Sequence, residues 1–382
     1  MTDTLFQPFD FANGLTLRNR VVMAPMTTWS ANPDGTISEQ ELAYYRARAQ
    51  GVGLVLTGCT HVQPSGIGFT DEFAAYDDRF IPSLSKLAQA AKGGGAPAVL
   101  QIFHAGNKAV PSLVPNGELV SASSLAAPKG PFNDGKLASR ALSHEEILAV
   151  IRDFGEATRR AIEAGFDGVE LHGAHGFLIQ NFLSPLFNQR TDEWGGSLEK
   201  RMRFPLEVVR EVRRVIAAHA ERPFLLGYRI SPEEPGEGAL RIDEALALVD
   251  QLAEDGRIDY LHASLYDLLA GKPQGGGDQT TAQQFIDRVA NRVPLLAAGQ
   301  VRTPDEARRA MAVGLPLVAV GKGLVMNPQW VQLAQAGRDG EIDTALDLSG
   351  EAGDLQVPEK LWAAILATPG WFPVREEALQ EA

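Results

Sequence analysis

Apolar and polar positions come in short blocks along this chain, a strand-like run followed by a helix-like one, over and over. Eight apolar runs read as buried strands: residues 21–24, 53–57, 96–103, 166–171, 224–230, 260–264, 294–298 and 317–320. Between them, apolar residues fall three and four apart. Ser38 with Glu41 and Ser143 with Glu146 form capping boxes, and Thr303-Pro304-Asp305-Glu306 adds a proline at the first helical position. The helix after Ser143 presents Ile147, Val150, Ile151, Phe154, Thr158, Ala161 and Ile162 on one face until Gly165 ends it. Further helices are expected over 81–92, 203–218, 242–253 and 283–290. Residues 5–18 alternate around Asn13-Gly14, a hairpin signal. Residues 105–142, rich in Pro, Gly, Ser and Asn, read as a long excursion above the strand ends. Residues 188–203 read as a polar loop, and 271–280 as a mobile Gly-rich one.

Eight strand–helix repeats predict an α/β fold, a (β/α)8 TIM barrel with an N-terminal hairpin and an excursion after strand three. A doubly wound sheet is the competing architecture, but no Gly-x-Gly-x-x-Gly follows the first strand. No domain boundary shows, so residues 1–382 are expected to form one domain, the last ~40 of them peripheral.

Composition narrows the partners. The 382 residues are 45% hydrophobic and 22% charged, as in ordinary globular proteins with ample core. A formal net charge of −13 argues against nucleic acid or an anionic membrane surface. The Met1-Thr2-Asp3-Thr4 start lacks a basic segment and an apolar one, so no secretory signal is expected. No apolar run is long enough to span a bilayer, and a cytoplasmic location is the default expectation. The single cysteine, Cys59, excludes an intrachain disulfide and an all-cysteine iron–sulfur cluster. Oligomeric state is left open, a homo-oligomer included.

The strand over 166–171 runs into His172-Gly173-Ala174-His175, two histidines able to donate to one acceptor. A zinc hydrolase would need His-Glu-x-x-His and a further ligand nearby, and neither is present, so no metal is expected. In a barrel all strand ends meet at one mouth. Here they bring Thr27, Cys59, Gln101, His172, His175, Arg229, Gly299, Gly321 and Lys322. No paired carboxylates, Gly-x-Ser-x-Gly or mid-barrel lysine stands among them, which weighs against glycosidase, acyl-transfer and Schiff-base chemistry. Gly299, Gly321 and Lys322 follow strands seven and eight, where barrels commonly bind phosphate. A phosphate site with Gln101 and Arg229 as donors suits a bound mononucleotide.

Several longer stretches carry a resemblance. Asn19-Arg20-Val21-Val22-Met23-Ala24-Pro25-Met26-Thr27, Gln101-x-x-His104-Ala105-Gly106, and the strand into His172 resemble the old yellow enzyme family of flavin-dependent ene-reductases. So do Phe182-Leu183-Ser184-Pro185, Asn188 and the run from Arg190-Thr191-Asp192-Glu193-Trp194-Gly195-Gly196 to Arg201. The resemblance covers about residues 5–335. It implies an FMN-containing barrel that takes hydride from NADPH or NADH and reduces activated C=C bonds in enones, maleimides or nitroalkenes. It further implies that Ala24, Pro25, Met26 and Thr27 line the flavin, with Cys59 near the ring. Gln101 and Arg229 would bond the ring's polar edge, and Gly299, Gly321 and Lys322 the phosphate. His172 and His175 would polarise the substrate, with Trp29 and Phe177 lining its pocket.

Three positions depart from the family pattern. Where the family has a tyrosine that protonates the substrate, Phe177 has no proton to give, so water or another residue must supply it. Lys322 replaces a frequent arginine, and Thr27 stands where one bacterial branch has cysteine. Cys59 is expected to be a small buried hydrophobe. A related barrel carrying an iron–sulfur domain is excluded by the cysteine count. The alternative from another class is a flavin-binding redox sensor or carrier with weak turnover.

Overall fold

The computed structural model describes residues 3–129, 134–254, 256–348 and 352–375. Met1 and Thr2 of the polar start, and residues 130–133 of the excursion, lie outside these. So do the last residues of the tail expected to be peripheral.

Eight parallel strands close on themselves: β1 (Val21–Met23), β2 (Leu54–Leu56), β3 (Ala98–Phe103), β4 (Gly168–Gly173), β5 (Leu225–Ile230), β6 (Tyr260–Ser264), β7 (Leu295–Ala298) and β8 (Leu317–Val320). Each pairs with its sequence neighbours, and β8 pairs with β1 to complete the circle. This is the (β/α)8 barrel, with helices covering the outside. Alternation sorts the strand residues by face. Val22, Leu54, Leu56, Val99 and Leu317 point inward to one apolar cluster, while Val21, Val55 and Val318 pack outward against the helices. The hairpin, Phe9–Asp10 with Thr16–Leu17, seals the barrel floor by inserting Phe11 and Leu17 into the inner cluster. Gly14, at φ 92°, makes its turn.

The capping boxes at Ser38, Ser143 and Thr303 form as expected. One boundary differs. The helix expected from residue 203 starts at Leu198, where Ser197 accepts the Lys200 N–H, and runs to His219. Pro205 lies inside it, a position that normally costs a helix one hydrogen bond. The Arg190–Gly196 run is a folded loop rather than part of the mouth chemistry. Trp194 is buried, and the Asn188 amide donates to the carbonyls of Phe182 and Trp194. Among the described residues, no helix is long and apolar enough to cross a membrane.

Candidate active site

The site is built where β1, β3, β4, β5, β6 and β8 end. His172 is buried, and its Nδ1 accepts the Ala174 N–H at 3.3 Å. That contact leaves the proton on Nε2, so the ring keeps one N–H to donate. His175 stands at φ 60°, an uncommon left-handed conformation for a residue with a side chain. Three contacts hold it there: its N–H donates to Ser231 Oγ, its carbonyl accepts from Lys108 Nζ, and Gly176 follows at φ 70°. The two imidazoles stand 4.9 Å apart at 76°. Burial, then the neighbouring His175 and Arg229, holds the His172 pKa well below its ordinary range. His175 is exposed to the cavity; desolvation and then the Arg229 and Lys108 charges hold its pKa well below the ordinary range too. Both histidines are neutral donors at neutral pH.

His175 Nε2 meets Ser264 Oγ at 2.8 Å, and the same oxygen accepts from Arg229 at 3.0 Å. Phe177 is buried edge-on to His172, 4.9 Å between ring centres. A cavity of about 470 Å³ opens beside them, lined by Phe69, Lys108, His175, Phe177, Gln180 and Ser231 among others. Phe69 bridges Phe177 and Trp29, and Trp29 packs edge-on against Trp371 of the C-terminal tail. That tail reaches the site: Lys322 Nζ donates to the Trp371 carbonyl and lies 5.6 Å from the Phe372 ring.

The remaining expected residues also converge. Thr27 Oγ1 and Cys59 Sγ are 3.7 Å apart, and Gly321 faces Ala24 and Met26, with Pro25 buried between them. Burial, with Glu72 nearby, pushes the Cys59 thiol well up, which makes it an inert small hydrophobe. Gly299 lies against the Leu268 backbone so closely that a Cβ would sit 2.7 Å from its nitrogen. Gln101 donates to Glu170 at 2.7 Å, and Arg229 is buried with its Nε unpartnered.

Four elements escaped the sequence reading. Lys108 lines the cavity, Ser264 joins His175 to Arg229, and Glu170 pairs with His262 inside the barrel. Arg302 sits near enough to Lys322 that, after burial, its charge helps lower the lysine's pKa. Period-two alternation was the available signal for Glu170 and Ser264: they share faces with His172 and His262.

Two close cations at the ends of β7 and β8 call for an anion, and a buried unpartnered guanidinium nitrogen calls for an acceptor. Both demands fit a phosphate-bearing ring such as FMN. The barrel and this donor set define a flavin-binding oxidoreductase. Residues 4–341 match the profile of the NADH:flavin oxidoreductase / NADH oxidase family. The chain is 46% identical over 374 residues to a probable NADH-dependent flavin oxidoreductase, YqiG, of Bacillus subtilis (strain 168), spanning 97% of this chain and 98% of that one. Morphinone reductase in complex with tetrahydroNAD superposes with a TM-score of 0.74 at 29% identity, covering 87% and 91% of the two chains. An old yellow enzyme homologue from Zymomonas mobilis gives 0.74 at 26% identity, covering 87% and 93%. The chain belongs to the NADH:flavin oxidoreductase family, the old yellow enzymes: FMN-binding, NAD(P)H-dependent oxidoreductases.

Proposed function

We propose that this enzyme is an ene-reductase, passing hydride from NADPH or NADH to C=C bonds activated by a carbonyl or nitro group, as in enones, maleimides and nitroalkenes. One observation carries the reading: His172, fixed as the Nε2–H tautomer, stands 4.9 Å from His175, which lines the cavity together with Phe69 and Phe177. Neutral imidazole N–H groups polarise a substrate oxygen without requiring a counter-ion. Ala24, Pro25, Met26, Thr27, Cys59, Gln101 and Arg229 would hold the flavin ring. Gly299, Gly321 and Lys322, with Arg302, would hold its phosphate. Bound FMN supplies a carrier that accepts hydride from the nicotinamide and yields it to a second substrate.

The protein's own part is positional and electrostatic. His172 Nε2–H draws electron density toward the substrate oxygen, which makes the β-carbon electrophilic. The Ser231, Lys108 and Gly176 contacts fix the turn that carries His175. Phe69, Phe177 and Trp29 favour flat, apolar substrates and limit water at the reacting carbons. Phe177 also favours a second reading, a redox carrier that is reduced but turns nothing over. Steady-state assays with NADPH or NADH and 2-cyclohexenone separate the two. Sustained enone-dependent oxidation of the nicotinamide supports the ene-reductase; reduction of the bound flavin without turnover supports the carrier.

A further inference from the structure

Reducing an activated alkene adds hydride to the β-carbon and a proton to the α-carbon, and Phe177 cannot give the proton. An ammonium stands beside that ring. Lys108 Nζ lies 5.8 Å from the Phe177 ring centre and donates to the His175 carbonyl at 2.5 Å. A Cβ built on Gly176 would come within 2.9 Å of it, so the group sits directly over the His175–Gly176–Phe177 turn. Lys129 also lines the cavity but is exposed, whereas Lys108 is half-buried.

We propose that Lys108 is the acid that protonates the substrate α-carbon, the role Phe177 cannot fill. This inference rests on the ene-reductase reading. Hydride addition leaves an enolate, its charge held at the oxygen by His172. The Lys108 N–H bond then breaks as the α-carbon C–H bond forms, the enolate electron pair making that bond. The ammonium becomes an amine, and water entering the open cavity reprotonates it. Burial lowers the Lys108 pKa, partly opposed by the Glu234 charge, which makes it a better acid than a solvated lysine. His175, Glu233, Glu234 and Lys129 are the titratable groups that line the same cavity.

Two variants separate acid from cation. Lys108→Met removes both; Lys108→Arg keeps a cation and donor but cannot release its proton. Both should lower enone turnover by about 10²–10⁴-fold, with a much smaller loss for nitroalkenes, whose reduced anion is stable unprotonated. Adding Phe177→Tyr to Lys108→Met should restore most of the enone rate. Independently of turnover, amine-reactive labelling read by peptide mass should show Lys108 gaining reactivity at lower pH in the native holoenzyme than in the urea-unfolded chain. Wild-type enone turnover in Lys108→Arg, or labelling midpoints identical in the two states, overturns the inference alone. A wild type that accepts hydride yet turns over neither enone nor nitroalkene overturns the ene-reductase reading, and this inference with it.

Discussion

Glu170 and His262 face each other inside the barrel, Oε2 to Nδ1 at 3.0 Å, both without solvent contact. Burial pushes the Glu170 carboxyl up, but His262, Arg229 and the Gln101 amide outweigh it and hold the pKa below its ordinary value. Burial lowers the His262 pKa, so a neutral ring donates to a carboxylate. The charge that balances Glu170 is therefore Arg229, one strand over. Glu170→Gln should leave that guanidinium buried without its counter-charge and cost about 3–5 kcal/mol in a denaturant titration. A loss below 1 kcal/mol, within the range of an ordinary exposed pair, would show that Arg229 does not depend on Glu170.

The His172 tautomer makes a second prediction. Phenols should bind the oxidised holoenzyme as anions, reported by a long-wavelength charge-transfer band. Removing one hydrogen bond to a charged group costs about 1.5–3 kcal/mol, so His172→Ala should weaken phenol binding by that amount. Equal affinity in wild type, His172→Ala and His175→Ala would remove both rings from the site.

Lys322 and Arg302 should act together on the cofactor. Each charge-assisted hydrogen bond to phosphate is worth about 1.5–3 kcal/mol, so Lys322→Ala and Arg302→Ala should each speed FMN loss during dialysis at least tenfold. High salt should accelerate loss from wild type more than from the double variant, since fewer charges remain to screen. Flavin retention unaffected by both changes would place the phosphate elsewhere.

His104 should make the fold acid-sensitive. Its Nδ1 accepts the Gly106 N–H at 3.0 Å and its Nε2 meets Ser65 Oγ at 3.2 Å, so a second ring proton has no acceptor. Burial, then the charge of His61, lowers its pKa from 6.5 to about 3. The folded pKa is the depressed one, so the unfolded chain binds the proton first and stability falls as pH drops below 6.5. The slope is about 1.4 kcal/mol per pH unit, or roughly 2 kcal/mol by pH 5. Unfolding titrations of wild type and His104→Gln at pH 7.5 and pH 5 should differ in pH dependence by that amount. Parallel curves would mean that His104 takes up its proton in the folded state.

Local chemistry along the chain was enough for the architecture and for most of the candidate site. Strand-length apolar runs, three capping boxes and the Asn13-Gly14 turn each concern residues within a few positions of one another, and their order dictates a barrel. The strand ends named Thr27, Cys59, Gln101, His172, Arg229, Gly299, Gly321 and Lys322 because a closed parallel barrel must bring such ends to one mouth. What lay outside the sequence's reach depends on contacts between distant segments. Glu170 meets His262 from 92 residues away, and Lys322 meets the Trp371 carbonyl from 49. Lys108 reaches the His175 carbonyl across 67, out of an excursion whose composition suggests only loop. A helix boundary moved as well: the helix expected from 203 begins at Leu198, and its packing against the barrel tolerates Pro205 in its interior. Side-chain pairing and burial decide whether a carboxylate, a lysine or an imidazole carries its charge, and both exist only once the barrel has closed.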